Sequence, residues 1–346
     1  MPQHDYLGRY HRQMLLPEIG DSGQRRLNDA SAVVIGVGAL GSVSAELLVR
    51  AGVGRVVLVD RDVVELTNLQ RQTLFAERDV GQPKAQAAAR RLRSINGDVR
   101  VEPRAMDLDG LTAQDLVAGT DVLIDGTDNF ETRYVINDAA IAAGIPAVFG
   151  GAVGVRGTVV PVVPGGPCLR CIAEEVPSGT DTCDTVGVFG PLIHLVAARQ
   201  AAIGLRILLG LPVDARLESV DAMTGEWRRL DLSAARDDSC VCCGQRRFEF
   251  LSGSAGGRAV PMCGRASVHV TPASQRGIDL SAVEGALSPY GRFAATEGLV
   301  RGEFAEEQGD GGAAIGMMVF GDGRAIVTGT TDPARARSIY AKYVGG

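Results

Sequence analysis

Apolar runs and helical-period stretches alternate along the first two-thirds of the chain. AVVIGVG (32–38), RVVLVD (55–60), VRVEPRAM (99–106), DVLIDGTD (121–128) and PAVFGG (146–151) are short β-rich runs bounded by glycine, proline or acidic residues. Helical periodicity fills the gaps, at 41–51, at KAQAAARRLRSIN (84–96), near 112–118 and at RYVINDAAIAAG (133–144). Apolar strands alternating with helices predict an α/β fold with a doubly wound, mostly parallel, Rossmann-like sheet. Two short helices, RYHRQMLLPEIG and GQRRLNDA, precede the first strand. TVVPVVPG (158–165) reads as a later, antiparallel strand, and LESVDAMTGEWRRLDL as a hairpin turning at Thr224–Gly225. LIHLVAARQAAIGLRILLG (192–210) is interrupted by Arg199, Gln200 and Arg206 and reads as a buried helix, with no membrane span expected.

The pattern changes at LSGSAGGRAV. Residues 1–30 are read as N-terminal helices, 31–250 as one large domain, 251–260 as a linker and 261–346 as a small α+β domain. In the last of these, ASVHVT is a strand, IDLSAVEGAL a helix, and GMMVFGDGRAIVTG a hairpin turning at Asp322–Gly323. TDPARARSIYAKYV is a helix with Asp332 as N-cap and Pro333 at its first position.

Composition refines this little. Glycine is abundant at 45 of 346 residues and aromatics are 5%, which favours tight βα turns over a sandwich. A net charge of −6 points away from nucleic acid. A polar N-terminus without a signal peptide and seven cysteines point to a reducing, cytoplasmic setting.

The chemistry starts at Gly36, Gly38 and Gly41, a G-x-G-x-x-G between a strand and a helix, with Asp60 about 20 residues on. Such a turn aims a helix N-terminus at a nucleotide phosphate. It does not choose between a nicotinamide dinucleotide and ATP. The residues beyond Asp60 do. Cleavage of ATP at the α-phosphate needs cations to offset developing charge. Arg71 and Lys84 come after the turn, Asn68 can orient a phosphate or ribose, and Asp128 ends a strand where it can hold Mg²⁺.

RYHRQMLLPEIG, GVGALG, VDRDVVELTNLQRQ, GQPKA and DGTDNFETRY together resemble the MoeB/ThiF adenylyltransferases, bacterial relatives of ubiquitin-activating enzymes, from about residue 6 to residue 245. The resemblance implies Mg-ATP-dependent adenylation of the C-terminal glycine of a ubiquitin-like sulfur carrier protein ending in Gly-Gly. It places Asp60 on the ribose, and Asn68, Arg71 and Lys84 on the phosphates. Asp62, Gln72 and Asn129 join them around the nucleotide, and Asp128 takes Mg²⁺. Arg12 would reach the nucleotide from the second subunit of a homodimer. A sulfurtransferase or cysteine desulfurase would supply sulfur. Ala39 stands where the family usually has glycine.

Cys168 and Cys171 form one C-x-x-C, and Cys240 and Cys243 another, a set suited to tetrahedral Zn²⁺. Choosing Cys242 would break the two-residue spacing. The long segment between the pairs implies a clamp between distant parts of the fold. In the resembling family this zinc is structural.

Cys183 lies in a small, polar, loop-like segment. The resemblance allows it a covalent link to the carrier; an ordinary cysteine is the other reading. The C-terminal domain is similar to the extension on some ThiF-like activators, for which we expect a carrier-docking or dimer-supporting role. Gly345–Gly346 reads as a frayed helix end. The competing assignments are a tRNA-modifying dehydratase of the same superfamily, a non-catalytic zinc-stabilised partner, and an NAD-dependent oxidoreductase.

Overall fold

The computed structural model describes residues 6–173, 186–252, 258–261, 266–272, 277–296 and 298–344. The chain divides into two compact units, Met1–Gly253 and Ser254–Gly346.

In the first unit, helices α1 (Tyr6–Met14) and α2 (Gly20–Asp29) precede β1 (Ser31–Ile35), α3 (Ala39–Ala51) and β2 (Arg55–Val59). Then come α4 (Lys84–Ile95), β3 (Arg100–Arg104), α5 (Gly110–Val117), β4 (Val122–Asp125), α6 (Phe130–Ala143) and β5 (Ala147–Val153). The remainder is β6 (Arg156–Val162), α7 (Leu169–Ile172), α8 (Gly190–Leu208), β7 (Arg216–Asp221) and β8 (Trp227–Asp231). The eight strands form one sheet in the order β3-β2-β1-β4-β5-β6-β7-β8. Pairing is parallel from β3 to β5 and antiparallel from β5 to β8. The α/β expectation therefore holds, and the late strands are antiparallel, as TVVPVVPG and the 217–232 hairpin suggested.

The inner parallel strands β1, β2 and β4 are apolar because both faces are covered, whereas the edge strand β3 carries Arg100, Glu102 and Arg104. Along β1, Val34 packs into the cluster shared with α3 and α8, whereas Val33 and Ile35 pack into the cluster shared with α6. This period of two is what a pleated strand imposes. By length and composition α8 could cross a bilayer, yet half of it is buried here. Its Leu192, Val196 and Ala197 lie in the core beside Val148 and Ile124.

Strand order reverses direction between β1 and β4, both continuing in parallel from register Ala32↔Val122. Crevices at such a switch point, beyond the carboxyl ends of the strands, are where α/β sheets bind ligands.

In the second unit, β9 (Arg258–Pro261), β10 (Ser267–Thr271), β11 (Gly291–Thr296), β12 (Leu299–Gln308), β13 (Ala314–Phe320) and β14 (Ala325–Thr328) form an antiparallel sheet in the order β11-β12-β13-β14-β10-β9. Helices α9 (Leu280–Leu287) and α10 (Pro333–Tyr343) complete it. Asp332 caps α10 by accepting a hydrogen bond from Ala334 N at 2.8 Å. The 251–260 segment, expected as a linker, is only partly one: Arg258–Pro261 is the edge strand paired with β10. Its small, glycine-rich lead-in hides the four strand residues. Strands β11 and β12 were likewise not foreseen, since β12 is dominated by charged residues on an exposed face.

Candidate functional site

Three backbone segments meet at the switch point. Gly36 has φ +82°. A Cβ there would lie 2.7 Å from Gly126 O, one on Gly41 would lie 1.8 Å from Gly36 O, and one on Gly126 would lie 2.3 Å from the same oxygen. Glycine at 36, 41 and 126 is therefore a packing requirement. Gly38 differs. It is the N-cap of α3, and a Cβ there would meet nothing nearer than Gln72 Nε2 at 3.8 Å. No protein atom crowds the space above it, next to the first turn of α3, whose leading N–H groups have no partner within the helix. Ala39 begins that turn, and Arg246 is the one non-glycine residue with positive φ among the described residues, so the alanine is unstrained.

Asp60, at the end of β2, pins this turn. Its Oδ2 accepts Val37 N at 2.7 Å and its Oδ1 accepts Asp62 N at 2.7 Å. Burial pushes its carboxyl up and the Lys84 charge opposes the shift. Lys84, the first residue of α4 and 5% exposed, holds Asp62 Oδ2 at 3.1 Å and donates its N–H to Asp62 O. The segment between them includes a 3₁₀ turn at Leu66–Asn68. Buried Asn68 accepts Glu65 N through Oδ1, and its carbonyl accepts Arg71 N and Gln72 N. Gln72 is buried, and its Oε1 has no hydrogen-bond partner among the described residues. Half-buried Arg71 donates to Thr67 O and has no carboxylate partner among the described residues. Lys84, Asn68, Arg71 and Gln72 thus lie on the one connection from β2 to the start of α4; of these, Gln72 comes within 3.8 Å of the Gly38 Cβ position and Lys84 reaches Asp62, next to the Asp60 that pins the turn.

The loop after β4 supplies the other wall. Asp128 is exposed; Asn129 caps α6 by accepting Thr132 N at 2.8 Å. The role of Asn129 in the fold is therefore that of a helix cap. The loop is held by Asp125, which sequence reasoning passed over. Fully buried, it accepts Thr127 N and Thr127 Oγ1 and lies 3.1 Å from Arg133 Nε. Burial pushes the Asp125 carboxyl up, with Arg133 pulling the other way. Arg133 also donates to Thr127 O and Gly150 O, and Gln200 on α8 donates to Asp125 O and Val148 O. Arg61 was missed as well. It pairs with Asp107 at 3.4 Å; burial lowers its pKa, but Asp107, Asp62, Asp128 and Asp60 outweigh that and raise it. An acid ending β4 and an arginine one helical turn into α6 are the local signal that could have found the Asp125–Arg133 pair.

Arg12 is not at this site within one chain. It is exposed and makes no hydrogen bond or ion pair among the described residues. Helix α1 docks at the far end of α3, where Gln13 donates to Ala51 O and Tyr10 fills the space at Gly52. The 13 residues of α3 separate that end from the glycine turn by roughly 20 Å.

The four cysteines do converge. The sulfurs of Cys168, Cys171, Cys240 and Cys243 lie within 4.8 Å of one another. Individual separations are 3.9 Å (168–171), 3.7 Å (168–240) and 3.3 Å (171–243). Tetrahedral thiolates at 2.3 Å from a zinc ion would be about 3.8 Å apart, so the donor set fits. Cys242 is not one of the four: fully buried behind them, its sulfur lies against Cys168 and accepts Asn137 Nδ2 at 3.2 Å. Asn137 Oδ1 accepts Leu169 N, and Asp138 Oδ2 accepts Phe250 N. The middle of α6 thereby ties both cysteine turns together. Gly244 is required beside them, since a Cβ there would lie 2.1 Å from Asp238 O. Cys183, Cys263 and Gly345–Gly346 lie outside the described residues.

The chain matches the model of the ThiF family over residues 10–242. It is 42% identical over 341 residues to the sulfur carrier protein ThiS adenylyltransferase of Bacillus subtilis, covering 98% of this chain and 99% of that one. It is 36% identical to the molybdopterin-synthase adenylyltransferase of Escherichia coli, covering 68% of this chain and 96% of the relative. Among solved structures it is similar to E. coli MccB with succinimide, at TM-score 0.60 and 24% identity, over 68% of this chain and 73% of that one. This last likeness is one of fold.

Arg133→Met leaves the Asp125 carboxylate buried without its cation. We expect a loss of about 3 kcal/mol in urea unfolding; a loss below about 1 kcal/mol would remove the pair from its place in holding the loop.

Proposed function

The chain belongs to the ThiF family, and from that premise we propose that it adenylates the C-terminal glycine of a ubiquitin-like sulfur carrier of the ThiS type. It is an adenylyltransferase. The observation that carries the reading is the uncrowded Gly38 turn, with Gln72 Nε2 3.8 Å from its Cβ position, pinned by Asp60, beside which stand buried Lys84 on Asp62 and, in the field of Arg61 shared with Asp60 and Asp62, Asp128. The relative in B. subtilis matches along essentially its whole length, including the second unit.

ATP fits there as substrate. Its phosphates would lie over Gly38 against the N–H groups of α3, where the helix end is partially positive. Asp60 would bind ribose by its remaining acceptor capacity. Lys84 and Arg71 would offset charge on the phosphates. Asp128 would hold Mg²⁺, which supplies charge neutralisation to the leaving pyrophosphate. A carboxylate oxygen of the carrier attacks the α-phosphorus; the bond from that phosphorus to the bridging oxygen breaks, and pyrophosphate leaves. The product is a carrier acyl-adenylate, ready for a sulfur donor.

Separation of Arg12 from its own site supports a homodimer in which each subunit lends Arg12 to the other. The four thiolates support a closed zinc site. With no open position it takes no part in the reaction and clamps the turns at 168–171 and 240–243.

ATP–pyrophosphate exchange with a panel of Gly-Gly-terminated carriers tests the reaction. We expect exchange with a ThiS-type carrier, and a fall of at least about 100-fold in Asp128→Ala. Exchange with none of the carriers would overturn the reaction; near-normal exchange in the variant would overturn the role of Asp128.

Arg12→Ala and Asp128→Ala should each be inactive alone. Mixed and re-equilibrated in equal amounts, they should recover about a quarter of wild-type exchange, because half the dimers are mixed and each has one intact site. No recovery in a confirmed mixed dimer would place Arg12 elsewhere.

Metal analysis should find about one zinc per chain, with Cys240→Ser losing it and melting several degrees lower. A metal-free chain of unchanged melting temperature would remove the zinc assignment.

A further inference from the structure

A second polar site lies away from the crevice. A pocket of about 270 Å³ opens between α8 and the antiparallel strands β6, β7 and β8. Arg199 and Arg206 enter it from α8, Arg216 from β7 and Arg229 from β8. Two acids, Asp214 and Glu218, share the lining, and Pro161, Ile203 and Val213 give it an apolar part.

The charges do not cancel. Buried Glu218 is committed to Arg199, which donates to both its oxygens at 2.7 and 2.6 Å. Arg229 stands 3.9 Å from that same, already matched carboxylate. Arg216 pairs loosely with Asp214 at 3.4 Å, and both are exposed. Arg206 donates to Pro212 O and has no carboxylate partner among the described residues. Four guanidinium groups line the pocket with two carboxylates, and Asp231, opposite Arg216 in the β7–β8 pair, adds a third at its edge; one positive charge remains in excess, with Arg206 and Arg229 the two arginines that have no acid of their own. The Arg199–Glu218 pair fixes the floor from which they project. None of these residues belongs to the nucleotide crevice, which is built on β1, β2 and β4.

We propose that this pocket binds a small phosphate-bearing anion. Guanidinium forks match phosphate oxygens in pairs, and a concave wall strengthens their field. At about 270 Å³ the space is just below the range of small-molecule sites, roughly 300–1,000 Å³. That suits a diphosphate or a phosphate ester of a small alcohol, and is too small for a nucleoside triphosphate. The proposal is independent of the adenylation reading, because the crevice contributes nothing to it.

Calorimetric titration of the full chain at low salt, with inorganic phosphate, pyrophosphate and glycerol 3-phosphate, tests it. At least one should bind with a Kd below about 10 mM. Tighter binding of the ester than of inorganic phosphate assigns the site to a phosphorylated metabolite; the reverse assigns it to the free anion. The R206Q/R229Q double variant should weaken binding at least about tenfold. Arg229 is exposed, so R229Q alone, with a several-fold loss expected, keeps the test in force if the double variant fails to fold. Lys84→Met should leave binding at the pocket in place. No binding of any probe, or binding that survives R206Q/R229Q and disappears in Lys84→Met, overturns the proposal.

Discussion

Everything at the nucleotide crevice depends on how closely two peptide segments approach between β1 and β4. The oxygen of Gly36 sits where a Cβ of Gly41 or of Gly126 would be. Removing those side-chain atoms lets the turn after β1 fold under the start of α3 and lets the β4 loop lie against both. The consequence is geometric: Asp60 at the end of β2 reaches Val37 N ahead of α3, and Asp128 in the β4 loop comes beside Asp60 and Asp62 in the field of Arg61. With any Cβ at these positions the loops would move apart and the ligand-binding edge of the sheet would open. Gly38 completes the logic by contrast. Nothing in the protein crowds it, so its missing side chain makes room for something outside the protein.

Glycine gives the loops freedom as well as proximity, and buried polar side chains remove that freedom. Asp60 spans Val37 and Asp62; Asp125 spans Thr127 and Arg133; Gln200 reaches from α8 to the carbonyls of Asp125 and Val148. Each is an expensive group to bury and is held by specific partners, Gln200 through its amide nitrogen while its Oε1 has no hydrogen-bond partner among the described residues, so a displaced loop would strand a charge or an amide in the core. Helix α6 extends the same device. It begins at the Asp128 loop with Asn129 as cap, and at mid-length Asn137 and Asp138 hold the backbone and sulfur of both cysteine turns. The start and the middle of α6 therefore tie the Asp128 loop and the cysteine cluster to one helix.

Much of this was legible in the chain. The apolar runs located the parallel strands because strands buried on both faces cannot be polar. G-x-G-x-x-G located the turn because only glycine permits φ +82° at Gly36 and the contact at Gly41. The C-x-x-C spacing located the sulfurs because a single tight turn presents both. The less legible features are those that depend on a partner far away in sequence. Asp125 looks like any strand-ending acid until Arg133 and Gln200 are placed around it. Asn129 reads in sequence as a nucleotide ligand, and the hydrogen bond from Thr132 adds a helix-capping role that its position alone does not announce. Strand β9 hides in a glycine-rich segment because its order comes from pairing with β10, not from its own composition.

The two halves of the large sheet also divide labour by their connections. A parallel pair needs a crossover helix, and each crossover leaves a long loop at the carboxyl edge, where Asn68, Lys84 and Asp128 sit. An antiparallel pair needs only a short turn, so β5 to β8 contribute few loops there. What they contribute is a face. Helix α8 covers part of that face with apolar residues and leaves Arg199 and Arg206 at its margin, opposite Arg216 and Arg229 on adjacent strands. On a β-sheet, side chains from neighbouring strands that share a face stand close together, so arginines there crowd unless acids are supplied in equal number. Even with Asp231 opposite Arg216, three acids for four arginines is an imbalance that self-repulsion makes costly without a compensating anion. The parallel half concentrates function in loops. The antiparallel half offers a sheet surface instead of loops, and the unbalanced arginines lie on it.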